Sequence, residues 1–374
     1  MASYNFLKPY TFKNGITVKN RVVIPPMTET SAFEEGSVTT DELRYFKLHS
    51  GGAGMFISPV ANVAESGKGF EGELSVADDR YLPGLTKMAS AMKQNGTKAI
   101  LQIFHAGRMT NSKILRGEQP VSASAVPSLR QGAETPRALT EDEITALIED
   151  FGQAARRALE AGFDGVELHG ANTYLMQQFF SPHSNRRTDQ WGGSLENRER
   201  FALAIIKRVH QVAAEADWPF LVGYRISPEE IETPGIRLPD TLKFIDTLAD
   251  QPIDYLHISQ GHAFQTSLND HADTEPVILK IQHQVAGRLP LISVGSVETP
   301  ADAEKVMAAG IDFVAIGREM LREPHWVQKA ASGDEAAIRY TVSLADLEEL
   351  GITPALWHFL TVNMHADMHV TGAN

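Results

Sequence analysis

Residues 140–170 read TEDEITALIEDFGQAARRALEAGFDGVELHG and contain, in order, the signals of a helix, a turn and a strand. Thr140 followed by Glu143 is a capping box, and the acidic residues between them suit the positive end of a helix. Gly162 is typical of the position just after a helix, where glycine takes the left-handed backbone without steric cost. The apolar run 163–169 hardly alternates, as in a parallel strand covered on both faces. The stretch therefore predicts one helix–strand unit of a parallel α/β fold.

Similar strand and helix patterns alternate along the rest of the chain. The predicted strands are 21–25, 55–58, 98–104, 163–169, 219–226, 253–259, 290–294 and 312–316. The predicted helices are 40–50, 82–95, 140–161, 195–214, 238–249, 275–286, 299–309 and 323–331. Eight strand–helix pairs favour an α/β fold of the closed (β/α)8 TIM barrel type. An open doubly wound sheet is the alternative, because the order of elements does not reveal closure.

The two ends of the chain add to this barrel. Asn14-Gly15, within 11–18, is a strong hairpin signal, and we expect an N-terminal β-hairpin that caps the barrel. The part after Ser332, residues 332–374, is predicted to be a helical C-terminal extension. Barrels of this type form one domain even at ~400 residues. We therefore expect a single domain over 1–374.

Composition excludes several classes of protein. Apolar residues make up 43% and charged residues 22% of the 374, which is ordinary for a globular chain. A net charge of −13 argues against nucleic acid as a partner, because duplex binding places Lys and Arg against phosphates. The absence of cysteine excludes disulfides, cysteine-ligated metal centres and thiol nucleophiles. No long apolar stretch or signal peptide is visible, so we expect no membrane partner and a cytoplasmic location.

Glycine-containing turns follow predicted strands 7 and 8, at the end of the barrel where active sites lie. The turns carry Gly295-Ser296 and Gly317-Arg318. Glycine lets backbone N–H groups approach an anion closely, and arginine adds a forked cationic donor. We therefore predict a phosphate site here. The alternative is that both glycines only make tight turns.

Three polar residues, His169, Asn172 and Tyr174, follow predicted strand 4. If the chain turns helically there, His169 and Asn172 face the same way and can donate two hydrogen bonds to one substrate oxygen. Tyr174 can then supply a proton, since a phenol is not ionised at neutral pH. The alternative is structural: Tyr174 as a core residue and His169 as a hydrogen-bonded strand end. His365 and His369 have helical spacing but no accompanying glutamate motif, and we expect no metal site.

The segment after strand 4 also resembles the Old Yellow Enzyme family of FMN-dependent ene-reductases and NAD(P)H:flavin oxidoreductases. The resemblance covers about residues 7–324. Its most specific parts are ELHGANTYL at 167–175, QFFSP at 178–182 and WGGSLENR at 191–198, with shorter matches in KNRVV at 19–23, Gln102, HAGR at 105–108 and Gly317-Arg318. It implies a TIM barrel that holds FMN at its mouth and takes hydride from NADH or NADPH.

The resemblance also implies individual roles. The residues placed around FMN are Pro25, Pro26, Met27 and Thr28 along the flavin, Val60 after strand 2 on its ring, Gln102 at the pyrimidine edge, Arg225 by N1 and the C2 oxygen, and Gly295, Ser296, Gly317 and Arg318 at the phosphate. In the same family His169 and Asn172 would bind the activating oxygen of the substrate. Tyr174 would protonate the α-carbon after hydride reaches the β-carbon.

Four positions show where this chain stands within the family pattern. Relatives carry Thr or Cys at the Thr28 position, and Asn or His at the Asn172 position. Thr173 replaces a residue that is usually glycine, so we expect the backbone to shift there. Ser296 replaces a common glycine of the phosphate turn.

The sequence thus predicts an oxidoreductase that reduces the C=C bond of carbonyl- or nitro-activated alkenes by ping-pong chemistry. One alternative is a flavin-binding electron carrier, or an NAD(P)H oxidoreductase acting on a quinone or another acceptor. Dihydroorotate dehydrogenases and dihydrouridine synthases are other FMN barrels, but a synthase of that kind would use a cysteine acid and a basic RNA surface. The predicted partner is a small activated alkene. A homo-oligomer is left open, because the C-terminal part of some relatives contacts a neighbouring subunit.

Overall fold

The computed structural model describes residues 4–371, and across them eight parallel strands close into a barrel. The strands are β1 Val22–Ile24, β2 Met55–Asn62, β3 Lys98–Phe104, β4 Gly165–Gly170, β5 Leu221–Ile226, β6 Tyr255–Ile258, β7 Leu291–Val294 and β8 Phe313–Ala315. Each strand pairs with the next in the order of the chain, and β8 pairs back to β1. The predicted TIM barrel is confirmed, and the open-sheet alternative is excluded.

Helices surround the barrel, and the helix over Glu141–Glu160 begins at the capping box that the sequence predicts. The main helices are α1 Thr40–His49, α2 Leu82–Met92, α3 Glu141–Glu160, α4 Leu195–Ala214, α5 Leu238–Ala249, α6 Val277–Val285, α7 Pro300–Ala308 and α8 Trp326–Ser332. A short helix, Leu175–Phe180, follows β4. Thr140 and Glu143 form the capping box of α3, with each side chain bonded to the other residue's backbone N–H. The Ser194 hydroxyl caps α4 by accepting from the Asn197 backbone N–H. Such caps satisfy N–H groups that the first helical turn leaves without partners.

Two predicted elements differ from the structure for reasons of backbone chemistry. Strand 2 was expected to end at residue 58, but β2 continues to Asn62 through an irregularity between Ile57 and Val60. Pro59 lies in this bulge, where a residue without an N–H is tolerated. Val60 therefore lies within β2, and its expected place after the strand was wrong. The last helix was predicted over 323–331, but α8 begins only at Trp326, because Pro324 cannot donate a helical hydrogen bond. A separate short helix, Arg318–Arg322, precedes it and was not predicted.

The predicted hairpin closes the N-terminal end of the barrel. Strands Tyr10–Thr11 and Thr17–Val18 pair antiparallel, and Gly15 supplies the left-handed residue of the turn at φ +93°. Phe12 stacks on Phe313 of β8, with ring centroids 5.5 Å apart. The hairpin thus completes an apolar layer formed by inward-facing residues of the strands.

The C-terminal extension contains helical turns, as predicted, but they are short. Its longest segments are the α-helix Pro354–His358 and the π-helical turn Phe359–Asn363. A single bridge joins Val342 to Val370, and apolar side chains of the extension are buried against the barrel. Residues 1–3 and 372–374, which belong to the predicted domain 1–374, lie outside the described residues, and the single-domain assignment stays a prediction. Among the described helices none is both long and apolar enough to cross a membrane.

We expect Phe12→Ala to lower the free energy of unfolding by about 3–5 kcal/mol, because Phe12 is 3% exposed and the hairpin would leave a cavity in the barrel. Denaturant unfolding followed by circular dichroism measures the change. Phe33→Ala is the matched control: Phe33 is 55% exposed, and its removal should change stability by less than about 0.5 kcal/mol. Equal losses in the two variants would contradict the role of the hairpin.

Candidate active site

The carboxyl ends of β1, β5, β7 and β8 bring predicted residues from distant parts of the chain into one cleft. Its volume is about 320 Å³, and its lining includes Pro25, Pro26, Met27, Arg225, Gly295, Ser296, Gly317 and Arg318. Thr28 follows this wall and is half-buried. An adjoining cavity of about 470 Å³ contains Asn172 and shares Gln260 and Gly261 with the cleft. Closure of the barrel explains the convergence, since all strand ends then face a common centre.

The turns after β7 and β8 allow a ligand to approach the backbone closely. Gly295 has φ +127°, and a Cβ there would lie 2.6 Å from the His262 backbone nitrogen, so no larger residue fits. Ser296 takes the left-handed conformation at φ +50°, and its hydroxyl donates to the Gly261 carbonyl over 3.1 Å. The Arg318 guanidinium lies 3.4 Å from Ser296 Oγ. The arrangement therefore offers backbone N–H groups and a cation together, as a phosphate requires.

Polar side chains cross the barrel interior beneath the cleft. Gln102 Nε2 donates to Glu167 Oε1 over 2.7 Å, and His257 Nδ1 lies 3.0 Å from Glu167 Oε2. Gln102, Glu167 and His257 are each at most 1% exposed, and Arg225 is 8% exposed. Glu167 and His257 were not among the predicted site residues. Their signal in the sequence is a polar residue inside each of two apolar strands, GVELHG and YLHI.

His169 and Tyr174 lie together against β3. Their ring centroids are 5.0 Å apart, and Tyr174 meets the edge of Phe104 at 4.8 Å. Val60 packs in the same small apolar cluster. Burial and the positive charge of Arg225 lower the pKa of His169 well below its ordinary value, so the ring is neutral. Burial and the nearby Glu73 carboxyl raise the pKa of Tyr174 to about 12, so the phenol keeps its proton.

Asn172 has partners of its own across the cavity. Its Oδ1 accepts from Ser259 Oγ over 2.9 Å and from Ser227 Oγ over 3.4 Å. Its backbone N–H donates to Ser227 Oγ over 3.0 Å. With the carboxamide oxygen occupied by hydroxyl donors, the NH2 group is the end available to a ligand. Ser227 and Ser259 were missed by sequence reasoning, because they follow β5 and β6 and meet Asn172 only in the closed barrel.

The loop of Asn172 and Thr173 keeps a backbone that normally selects glycine. Thr173 has φ +68°, which is costly for a β-branched residue. Gln177 Oε1 accepts from the Thr173 N–H over 3.0 Å, and Gln178 Nε2 donates to its carbonyl over 2.7 Å. These bonds hold the left-handed conformation in place. Thr173 therefore keeps a left-handed backbone of the type that glycine adopts, and the expected shift of the backbone stays a prediction.

A comparison with protein-family models identifies the family of this chain. Residues 5–336 match the model of the NADH:flavin oxidoreductase / NADH oxidase family. The chain belongs to this family. Membership confirms the predicted resemblance to Old Yellow Enzymes, FMN as the cofactor and NADH or NADPH as the donor.

Named relatives and a solved structure agree with the family. An NADH:acrylate oxidoreductase of Vibrio harveyi is 46% identical over 93% of this chain but only 35% of its own length. The chain thus spans about a third of that longer relative. A probable NADH-dependent flavin oxidoreductase of Bacillus subtilis is 42% identical over 94% of both chains. The structure of an Old Yellow Enzyme homologue from Zymomonas mobilis has a TM-score of 0.78, 25% identity and coverage of 94% of this chain and 98% of its own.

The residues at the cleft fit FMN. Among residues 4–371, Gln102 Oε1 and Arg225 Nε have no hydrogen-bond partner although both atoms are buried. Buried polar atoms normally have partners, so a ligand is the expected source of them. A neutral acceptor and a cation that both lie near Glu167 suit the edge of a flavin pyrimidine, which has a ring N–H next to carbonyl oxygens. The glycine turns suit the phosphate.

We expect Thr173→Gly to raise the free energy of unfolding by about 0.5–1 kcal/mol. The substitution removes about 1–2 kcal/mol of left-handed strain. Glycine also raises the conformational entropy of the unfolded chain, which cancels part of this gain in stability. Thr145→Gly, at an exposed position within α3, is the control and should lower stability by about 0.5 kcal/mol. If thermal unfolding shows the same loss for both, Thr173 is not strained.

Proposed function

We propose that the chain takes hydride from NADH or NADPH and reduces the C=C bond of an alkene activated by a carbonyl or nitro group. The observation that supports this most is the position of Tyr174. A protonated phenol lies beside a neutral histidine at the same barrel end as the cleft that fits FMN. An alkene that receives hydride at one carbon needs a proton at the other, and this phenol is a suitable donor.

His169 and Asn172 would bind the activating oxygen of the substrate. A neutral imidazole offers one N–H, and the Asn172 NH2 group is directed away from Ser259 and Ser227. Two fixed donors stabilise the negative charge that develops on this oxygen during hydride addition.

Arg225 would stabilise the reduced cofactor. When bound, FMN would hold the two electrons of the hydride between its donor and the alkene. Arg225 is a buried cation on β5 that lines the cleft, and a fixed positive charge favours a group that becomes anionic. NADH and the alkene would use the same cleft in turn, which gives ping-pong kinetics.

A second candidate follows from the lengths of the relatives. This chain matches only a third of the Vibrio harveyi acrylate oxidoreductase. The alkene of that relative is therefore reduced either in the part that this chain resembles or elsewhere in that protein. In the second case the barrel oxidises NADH and passes the electrons to another acceptor.

We expect Tyr174→Phe to leave the reduction of FMN by NADH or NADPH nearly unchanged and to slow alkene reduction by about 10²-fold or more, because the proton donor is lost. Stopped-flow absorbance of the flavin measures the two half-reactions separately. Tyr10→Phe, in the hairpin at the other end of the barrel, should change neither rate.

Enones, maleimides and nitroalkenes serve as test oxidants, with a quinone for comparison. Equal alkene turnover in Tyr174→Phe would disprove the role of Tyr174. A wild-type protein whose reduced flavin is reoxidised by the quinone, and by none of the alkenes, would favour the second candidate.

We expect Arg318→Ala to weaken FMN binding by about tenfold or more, since a charge-assisted hydrogen bond contributes about 1.5–3 kcal/mol. The measurement is the dissociation constant of FMN for the apoprotein, by fluorescence titration. Arg200→Ala removes an exposed arginine on α4 and should not change this constant. Full FMN retention by Arg318→Ala after dialysis would contradict the phosphate site.

A further inference from the structure

The proposed function leaves a buried ionisable pair without a role. Glu167 of β4 and His257 of β6 are both 0% exposed, and neither belongs to the substrate or phosphate contacts. Glu167 touches His257 through one carboxylate oxygen, at 3.0 Å, and Gln102 through the other, at 2.7 Å. A carboxyl group inside a barrel is costly, so its retention calls for a specific function.

The protonation state of the pair determines what Glu167 offers to Gln102. Burial raises the pKa of Glu167, but His257, Arg225 and the hydrogen bonds from His257 and Gln102 outweigh it and the pKa lies below its ordinary value. Burial lowers the pKa of His257 and the Glu167 carboxylate opposes this shift, and the ring donates through its Nδ1–H in either charge state. Glu167 is therefore a carboxylate, which has acceptors and no donor.

An acceptor-only neighbour sets the direction of the Gln102 amide. Its Nε2 faces Glu167, which forces Oε1 to the opposite side. Among residues 4–371 this oxygen has no partner, although it is buried. If the amide were reversed, two oxygens would face each other across 2.7 Å, and that contact is repulsive. The barrel interior therefore contains a hydrogen-bond acceptor of fixed direction that no described residue uses.

We propose that Glu167, held by His257, is a positioning residue that turns the Gln102 carbonyl oxygen outward to accept the N3–H of FMN. The proposal deepens the proposed function and rests on its cofactor. The flavin pyrimidine has one ring N–H between two carbonyl groups, so it needs an acceptor at its centre. Glu167 does not touch the cofactor and acts through Gln102.

The test uses the full-length chain loaded with ¹⁵N-labelled FMN, and the N3–H signal reports its hydrogen bond. In the wild type this proton should be deshielded relative to free FMN and protected from exchange with water. Gln102→Met, which removes the acceptor, should return the signal toward that of free FMN. A wild-type signal equal to that of Gln102→Met would overturn the proposal.

Two substitutions of Glu167 distinguish its effect on the direction of the Gln102 amide from the effect of its side-chain size. Glu167→Met fills similar space without an acceptor, so Gln102 can turn its NH2 toward the flavin carbonyls and the N3–H signal should match that of Gln102→Met. Glu167→Gln keeps an acceptor oxygen for Gln102 and lets His257 change tautomer, so the wild-type signal should persist. A wild-type signal in Glu167→Met, or its loss in Glu167→Gln, would overturn the proposal.

The flavin midpoint potential provides a second readout, which decides the matter if Glu167→Met does not fold. Glu167→Gln removes a buried negative charge near Arg225, so reduced FMN should bind at least about tenfold more tightly relative to oxidised FMN. That ratio corresponds to a rise of about 30 mV for a two-electron couple. An unchanged potential would mean that Glu167 is protonated and can itself donate to Gln102, which contradicts the proposal. No substrate is present in either measurement, so failure of alkene reduction leaves both results intact.

Discussion

The hydrogen bonding of β8 to β1 is the constraint on which the rest of the molecule depends. It turns eight parallel strands into a ring, so that every strand ends at the same mouth. Residues nearly 300 positions apart in the chain, such as Pro25 and Arg318, thereby line one cleft. If this sheet, whose strands follow the order of the chain, were opened between β8 and β1, those two strands would lie at opposite edges and could not line one site.

The two ends of the ring differ in chemistry because they are filled differently. The hairpin inserts Phe12 at the N-terminal end, where the layer is apolar and excludes water. At the mouth, Gln102, Glu167, Arg225 and His257 form a polar layer in which the charges of Glu167 and Arg225 compensate each other. Fixed charges and dipoles in a site of low dielectric have strong effects on a bound group. The barrel thus has an apolar, closely packed layer at its N-terminal end and a layer of fixed charges and dipoles at the carboxyl ends of its strands.

Local sequence signals were sufficient for much of this structure. The capping box at Thr140 and the Asn14-Gly15 turn act through neighbouring backbone atoms, and both form as predicted. The extent of β2 and the position of Val60 were misjudged, because a bulge at Pro59 depends on pairing with neighbouring strands. Ser259 and His257 could not be assigned in advance, since their contacts join different strands. Thr173 was noted as unusual, but only the structure shows which side chains stabilise its left-handed backbone.

The sequence by itself determined the elements, their order, the glycines of the turns after β7 and β8, and the family motif around His169. These features depend on residues close together in the chain, where propensity, caps and spacing operate. The tertiary structure decided closure of the ring, the direction of the Asn172 and Gln102 amides, and the pairing of Glu167 with His257. Each of these depends on which atoms meet across strands, and hydrogen-bond direction is fixed only when donor and acceptor are brought together in space.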